Sequence, residues 1–505
     1  MAKDDQGKTK DAARRARNRA AEVANTLEWL ITAFALAFVF RAFVMEAFRI
    51  PTGSMADTLL GAHYRLRCTQ CGYKYCYGQN SFRAPQGRAS ARQEETRCPS
   101  CGYFQATGDT ESASSGDRIL VLKCIYQFVE PRQWDVVVFK NPLDPSENYI
   151  KRLVGRAGET VEIIDGDVYI NGQISRKPPK VQEELWMSIC DNDYQPARPE
   201  EPSFNRHTWR RPFRNAEGSK WTTDEETPTI FRLAGKSNEE HRLVYDTSLG
   251  NDFRATYAYD EIMDYRYMPY CSDLMVRFWA SSREPAGLVG ASLGKYGIQY
   301  TGRVDFAGQM TITRTSDGNE QVLATRTIGS PTVDKPTMLG FANVDHKLAL
   351  EFGSEKLTYD LGRGPDDAGA RRTDIEPEAK ILGAGEISIS HLALFRDIHY
   401  TARNPNSNEP GRATEGNPLK LEADQFFMLG DNSPRSEDGR WWAQPGKGNN
   451  GKIYSEGIVP REYLVGKALV VYWPAGFKPF SKSPLAIIPN VGELRFIYGG
   501  SDNAE

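Results

Sequence analysis

Two side chains could carry out chemistry together if the fold joined them: Ser54 in "RIPTGSM" and Lys151 in "NYIKRLVG". A serine hydroxyl is a weak nucleophile at its ordinary pKa and needs a base beside it. Of the six histidines only His63 is near in sequence, and it reads as a surface-loop residue. A lysine can serve instead if its amine is neutral, which requires apolar surroundings that penalise the charged form. As a strand, this stretch puts Lys151 on one face with Tyr149 and Leu153, toward the core, with Ile150 and Arg152 facing the other way. The ordinary alternative is a lysine held in water. A second set of reactive groups is Cys68, Cys71, Cys98 and Cys101, in two Cys-x-x-Cys-Gly turns that can offer four thiolates to a structural zinc. Two disulfides are the alternative in an oxidising compartment. Cys76 is left open between these readings, and Cys124, Cys190 and Cys271 read as buried or unpaired.

The elements that must position these groups begin with an apolar segment, residues 27–48, just before Ser54. It is long enough to cross a roughly 30 Å hydrocarbon layer as a helix if Arg41 and Glu46 lie near one face. A cleaved signal peptide fits the same pattern. Residues 1–26 form a basic tail that reads as disordered and cytoplasmic, which places the remainder on the outer face of the plasma membrane. Lysines and arginines (63) nearly balance aspartates and glutamates (66), so no global field calls for nucleic acid. Beyond the membrane segment the chain is mainly β. "TVEIIDGDVYINGQ" reads as a hairpin turning at Asp165-Gly166, and "MTITRTSDGNEQVLAT" turns at Asp317-Gly318. The expected division is a catalytic core of residues 49–177 and 420–480, a zinc-ribbon-like insert at 65–104, a separate β-sandwich at 178–419 and a tail at 481–505. Both inserts fall between the reactive segments, so the sandwich is expected to be autonomous and dispensable for chemistry.

With those residues in place, "RIPTGSM" resembles the nucleophile box of type I signal peptidases. "SGDRILV", "WDVVVFKNPLDPSENYIKRLVGRAGETV", "FMLGDNSPRSEDGRWW" and "VPREYLVGKALVVYW" resemble the boxes that follow, in the family's order. The resemblance implies a signal-peptidase β-fold and a Ser54–Lys151 dyad. It implies that Thr52 and the Ser54 N–H form an oxyanion hole, that Ser436 orients the lysine, and that Asp438 and Arg440 form a bracing ion pair. Gly430, Asp431 and Asn432 are implied as the turn before them. No catalytic cofactor is implied, and the expected partners are membrane lipid and the signal peptides of exported preproteins. Asp57 departs from the family's usual proline. The sandwich is similar to concanavalin-like jelly-roll domains, many of which bind carbohydrate. Two other functions stay open: a membrane-displayed carbohydrate-binding or scaffold protein, and a self-cleaving Ser-Lys regulator.

Overall fold

The run Val136-Val137-Val138-Phe139 shows how the sequence builds the sheet at the centre of the molecule. Successive side chains on a strand point to opposite faces. Val136 and Val138 enter one buried cluster with Met55, Ile119, Val121 and Val471. Val137 and Phe139 enter another with Leu153, Met428, Trp442 and Tyr463. A strand apolar on both faces is thus committed to the interior of its sheet. The computed structural model describes residues 3–78, 95–106, 114–197, 199, 204–205, 207–236, 238–260, 268–362, 373–404, 408–448, 451–475 and 490–500, with 3–20 as backbone only.

Eight strands form this sheet: β1 (Met45–Arg49), β2 (Arg118–Leu122), β3 (Val136–Lys140), β4 (Asn148–Gly155), β5 (Gln425–Leu429), β6 (Val459–Pro460), β7 (Leu464–Trp473) and β8 (Arg495–Phe496). Their order is β1-β2-β7-β3-β4-β5-β6, with β8 beside β7. A helix, Lys3–Val39, leads into it through a π-helical turn at Phe40–Val44. Across helix and turn, the 24 residues Ala21–Val44 are long and apolar enough to cross a membrane, with a most apolar stretch of mean hydropathy 1.8 that is not buried against the protein. Two expectations change here. The basic segment is helical from Lys3, in keeping with its alanines, lysines and arginines. The helix also stops before residue 48, because Met45–Arg49 pairs antiparallel with β2, from Met45 opposite Leu122 to Arg49 opposite Arg118. Glu46 then meets Lys123 at 3.1 Å.

The two cysteine turns sit on short hairpins, His63–Arg67 with Lys74–Gly78 and Glu95–Arg97 with Phe104–Ala106. Residues 79–94 of that insert, and 476–489 and 501–505 of the expected core end and tail, lie outside the described residues. His63 is fully buried, with Nδ1 2.8 Å from the Gly61 carbonyl, which corrects its reading as a surface-loop residue. The tail from 481 is also revised. Arg495 donates to Asp117 at 2.7 Å and Arg65 pairs with Glu493, so residues 490–500 pack on the core.

The large insert is two seven-stranded antiparallel sheets around one apolar cluster, with Phe278, Phe341 and Ile389 from one sheet and Val289, Ile312 and Ile381 from the other. The turns at Asp165-Gly166 and Asp317-Gly318 have positive φ at both residues, as a two-residue hairpin connection requires. Its last strand ends at Arg396. Ile398, Tyr400 and Ala413 already pack with Trp134, Val154 and Phe427 of the central sheet's cluster, so the boundary expected at 419 lies some twenty residues too late. The seam between the two parts is buried and ionic. Lys177 meets Asp345 at 2.5 Å and Asp397 at 2.9 Å, while Lys295 pairs with Asp273 and lies 3.8 Å from Asp167. Removing one partner from such a buried network leaves an uncompensated charge. The insert is therefore seated on the core, not hung from it by a linker.

Gly116 permits the closest chain approach near the candidate nucleophile: a Cβ there would lie 1.9 Å from the Ile50 carbonyl oxygen. Backbone cannot yield as a side chain can, so Gly116→Ala should lower stability by roughly 1–3 kcal/mol. Urea unfolding measures this, and an unchanged midpoint would show that the loop has freedom this packing denies it.

Candidate active site

Register brings the two reactive groups together. Lys151 lies opposite Val137 across the β3–β4 pair and so shares the face of Val137 and Leu153, as its alternation implies. Ser54 arrives from the other direction, on the turn after β1 that is pinned by the Ile50 N–H to the Asp117 carbonyl at 2.8 Å. Lys151 Nζ donates to Ser54 Oγ at 2.8 Å and to the Ile150 carbonyl at 3.1 Å. Lys151 is 4 % exposed, and its amine stands 5.3 Å from the centre of the Tyr149 ring.

The charge on that amine is decided by its neighbours. Burial disfavours the ammonium, and Asp438, Glu437 and Asp431 favour it; burial prevails and lowers the pKa from 10.5 to about 8. The carboxylates lose because two of them are already engaged. Asp438 takes Arg440 Nε and Nη2 at 2.9 and 2.8 Å, and Asp431 takes Arg152 Nε and Nη2 at 2.8 and 2.7 Å. All four of these side chains are fully buried. Lys177 and Lys295 provide the contrast within the same chain. They are equally buried but touch carboxylates, which hold both amines well above the ordinary lysine value. Among the described residues no ion pair involves Lys151.

The remaining predicted residues cluster around this pair. The Ser54 carbonyl accepts from the Asn432 N–H at 3.1 Å, and the Gly430 N–H donates to Asp438 at 3.0 Å. Gly430 passes so close that a Cβ would meet Ser436 Oγ at 2.1 Å and the Ser54 oxygen at 2.5 Å. Ser436 Oγ is buried without a hydrogen-bond partner. Thr52 is exposed, with its backbone packed on Gly61. Arg440 also donates to the Thr401 carbonyl at 2.8 Å and to Ser433 Oγ at 2.8 Å, so this ion pair fastens three segments.

Sequence reasoning missed several supports. Asp117, inside "SGDRILV", accepts from the Leu60 N–H at 3.1 Å and from Arg495, and its carbonyl accepts from Ile50, so it holds both ends of the Ser54 turn. Its charge within a matching box was the available signal. Arg152 was read only as facing away from Lys151, yet that face is buried too, which makes its pairing with Asp431 obligatory. Tyr257, Tyr259 and Asp260 come from the large insert and carry no local signal. Beside the turn is a cavity of about 550 Å³, lined by Asp57 and Leu60 and by Tyr75, Trp186, Tyr257 and Arg396 from the inserts.

At the cysteine turns, Cys68 Sγ lies 3.6 Å from Cys101 Sγ and Cys71 Sγ 3.7 Å from Cys98 Sγ, and all four sulfurs lie within 4.8 Å of one another. Zinc–thiolate bonds of about 2.3 Å in a tetrahedron give sulfur–sulfur edges of about 3.8 Å, so the cluster fits that ion. Cys76, Cys124, Cys190 and Cys271 are all free thiols, the last two buried.

The sequence profile of the family described as "Signal peptidase, peptidase S26" matches residues 103–208 and 393–473, a range that holds Lys151, Gly430–Asn432, Ser436, Asp438 and Arg440 but not Ser54. Signal peptidase I of Rickettsia canadensis is 32 % identical over 146 residues, 28 % of this chain and 42 % of the relative. Signal peptidase I of Rickettsia typhi is 32 % identical over 136 residues, 27 % and 39 % of the two chains. The chain thus spans about two-fifths of the length of these curated relatives. Among solved structures, carbohydrate-binding module CBM66 from Bacillus subtilis covers 37 % of this chain and 92 % of its own, at 9 % identity and a TM-score of 0.21. Bacillus licheniformis β-glucanase covers 37 % and 94 %, at 8 % identity and a TM-score of 0.24. Scores this low carry no argument about fold or ligand.

A buried lysine titrating near 8 and not at 10.5 destabilises the native state. In the unfolded chain the amine binds its proton up to about 10.4, so the penalty, roughly 3 kcal/mol, is fully present below about pH 8 and disappears as the pH rises toward 10.4. Lys151→Met should therefore be more stable than the parent by about 1–3 kcal/mol at neutral pH, with the gap closing near pH 10. Urea titrations at the two pH values measure it, and a variant less stable than the parent at neutral pH would contradict the reading.

Proposed function

We propose that this chain is a membrane-anchored serine endopeptidase of the signal peptidase I type, which removes signal peptides from exported preproteins by a Ser54–Lys151 dyad. The observation that carries the proposal is a buried amine without a carboxylate partner 2.8 Å from a serine hydroxyl. The matched family profile and the Rickettsia relatives support the same reading over the part of the chain they cover.

In the reactive state Lys151 is neutral, and the Ser54 hydroxyl donates its proton to the Nζ lone pair as Oγ attacks the scissile carbonyl. The oxygen of the resulting tetrahedral intermediate is negative. The Ser54 N–H and the Thr52 hydroxyl are assigned to stabilise it, a contribution of the order of 10²–10³ in rate per donor. The Lys151 ammonium then passes its proton to the leaving amine, the acyl-enzyme forms, and the neutral amine activates water for deacylation. Ser436, buried beside Gly430, is assigned to orient the lysine. The Asp438–Arg440 and Asp431–Arg152 pairs keep carboxylates from recapturing its proton. Anchored by Ala21–Val44 with its basic end in the cytoplasm, Ser54 would work at the outer membrane surface, where the cleavage site of a translocating signal peptide emerges. A zinc ion on Cys68, Cys71, Cys98 and Cys101 would crosslink two hairpins too small to form a core alone. Its role is structural.

Ser54→Ala and Lys151→Ala should each lower cleavage of a preprotein by more than about 10³-fold while leaving the fold intact. In the parent, kcat/KM should rise about tenfold per pH unit below a midpoint near 8, because only the neutral amine is a base. Quantitative gel assays across pH measure both. A cleaving Ser54→Ala variant, or a pH-independent rate, would remove the dyad.

Metal analysis of the purified chain should find one zinc per molecule, lost in a Cys68→Ser/Cys98→Ser variant. Absence of zinc together with two Cys–Cys crosslinks in mass spectrometry would replace the ribbon with disulfides.

A further inference from the structure

The nucleophile turn has a buried face of its own, and what covers it comes from the large insert. Ala56, Leu60, Met187, Tyr257 and Tyr259 form one buried cluster, with Cys76 at its margin. Ala56 and Leu60 follow Ser54 by two and six residues. Tyr257 and Tyr259 are about two hundred residues away in sequence, outside both segments matched by the signal peptidase profile.

The contacts of this insert segment reach three of the parts around Ser54. The Tyr259 ring lies between Gly53 and Gly78, so tightly that a Cβ on either glycine would come within 2.1 or 2.2 Å of a ring carbon. Tyr259 Oη donates to the Ala62 carbonyl at 3.2 Å, and the Tyr259 carbonyl accepts from the Gly78 N–H at 2.9 Å. Tyr257 Oη donates to the Asp431 carbonyl at 2.9 Å. Asn432, whose N–H holds the Ser54 carbonyl, donates through Nδ2 to Asp260 Oδ1 at 3.0 Å. Arg396, at the end of the insert's last strand, donates to the Thr256 carbonyl and stacks over the Tyr257 ring at 5.1 Å. The segment is thus braced on a rigid sheet and bridges the nucleophile turn, the cysteine insert and the Gly430–Asn432 turn.

We infer that residues 256–260 of the large insert are a positioning element of the active site, with Tyr259 as the wedge that sets Ser54 against Lys151. The inference rests on Ser54 being the nucleophile. It runs against the expectation that the insert is dispensable. Without this segment the apolar face of the turn meets water, and two glycines that now close on a ring lose what they close on. A displacement of about 1 Å at a reacting atom lowers rate by the order of 10²-fold.

The test is a set of full-length variants, with kcat and KM measured on a preprotein and folding checked by thermal unfolding. Tyr259→Ala should lower kcat by about 10²-fold with KM changed less than about threefold, and Tyr259→Phe, which keeps the ring, should recover kcat to within about threefold of the parent. Gly78→Ala touches neither Ser54 nor Lys151 but drives a methyl into the ring, so it should also lower kcat. Combined with Tyr259→Ala it should add nothing further, the non-additivity expected of residues acting through one contact. A folded Tyr259→Ala variant with the parent's kcat would overturn the inference. If that variant does not fold, parent kcat in both Gly78→Ala and Tyr257→Phe would overturn it equally. Persistent cleavage by Ser54→Ala is a separate outcome and would remove the nucleophile assignment itself.

Discussion

A lysine amine taken out of water next to carboxylates ordinarily pairs with them and stays charged. Lys177 and Lys295 do so at the seam between core and insert. At Lys151 each nearby buried carboxylate has been claimed by an arginine, Asp438 by Arg440 and Asp431 by Arg152. The amine keeps a serine hydroxyl and a carbonyl as its partners. Two fully buried ion pairs are a weak route to stability, because desolvation offsets their attraction. Burial lowers the pKa of the Lys151 amine, and these pairs leave the nearby carboxylates too engaged to offset it.

The rest of the architecture positions this arrangement. The central sheet is buried on both faces, so strand alternation alone separates Lys151 from Arg152. One meets the Ser54 hydroxyl and the other reaches the Asp431 carboxylate. The Ser54 turn has no regular secondary structure and is held by Asp117 from within the core and by Tyr257 and Tyr259 from the insert. Both insertions therefore pack at this turn: one supplies Gly78 as the far wall for Tyr259, the other supplies the tyrosine.

What could be read in the sequence is what depends on neighbours along the chain. Alternation around Lys151, the Asp-Gly turns and the paired Cys-x-x-Cys-Gly motifs are local patterns, and the structure contains each. Contacts between distant segments left little trace. Tyr259 is an unremarkable tyrosine in "ATYAYD" until folding places it between two glycines in separate segments. Arg152 could be assigned to a face but not to Asp431, because nothing local shows that both faces of its strand are covered. Hydropathy carried the apolar helix through residue 48, yet the ladder with β2 claims Met45–Arg49, since backbone pairing there is decided by a partner seventy residues on. His63 and residues 490–500 were misjudged for the same reason: short polar stretches become interior when a distant segment packs over them.

Burial, with the nearby buried carboxylates already paired to arginines, lowers the Lys151 amine to about 8, so a neutral fraction able to accept a proton exists near neutral pH and grows as the pH rises. The most direct measurement is an NMR titration of selectively labelled Lys151, observed at the side-chain carbon beside Nζ in the folded full-length chain. The midpoint should fall near 8, well apart from the surface lysines. A midpoint at or above the ordinary lysine value of about 10.4 would mean that the amine stays charged, and the dyad as drawn could not operate.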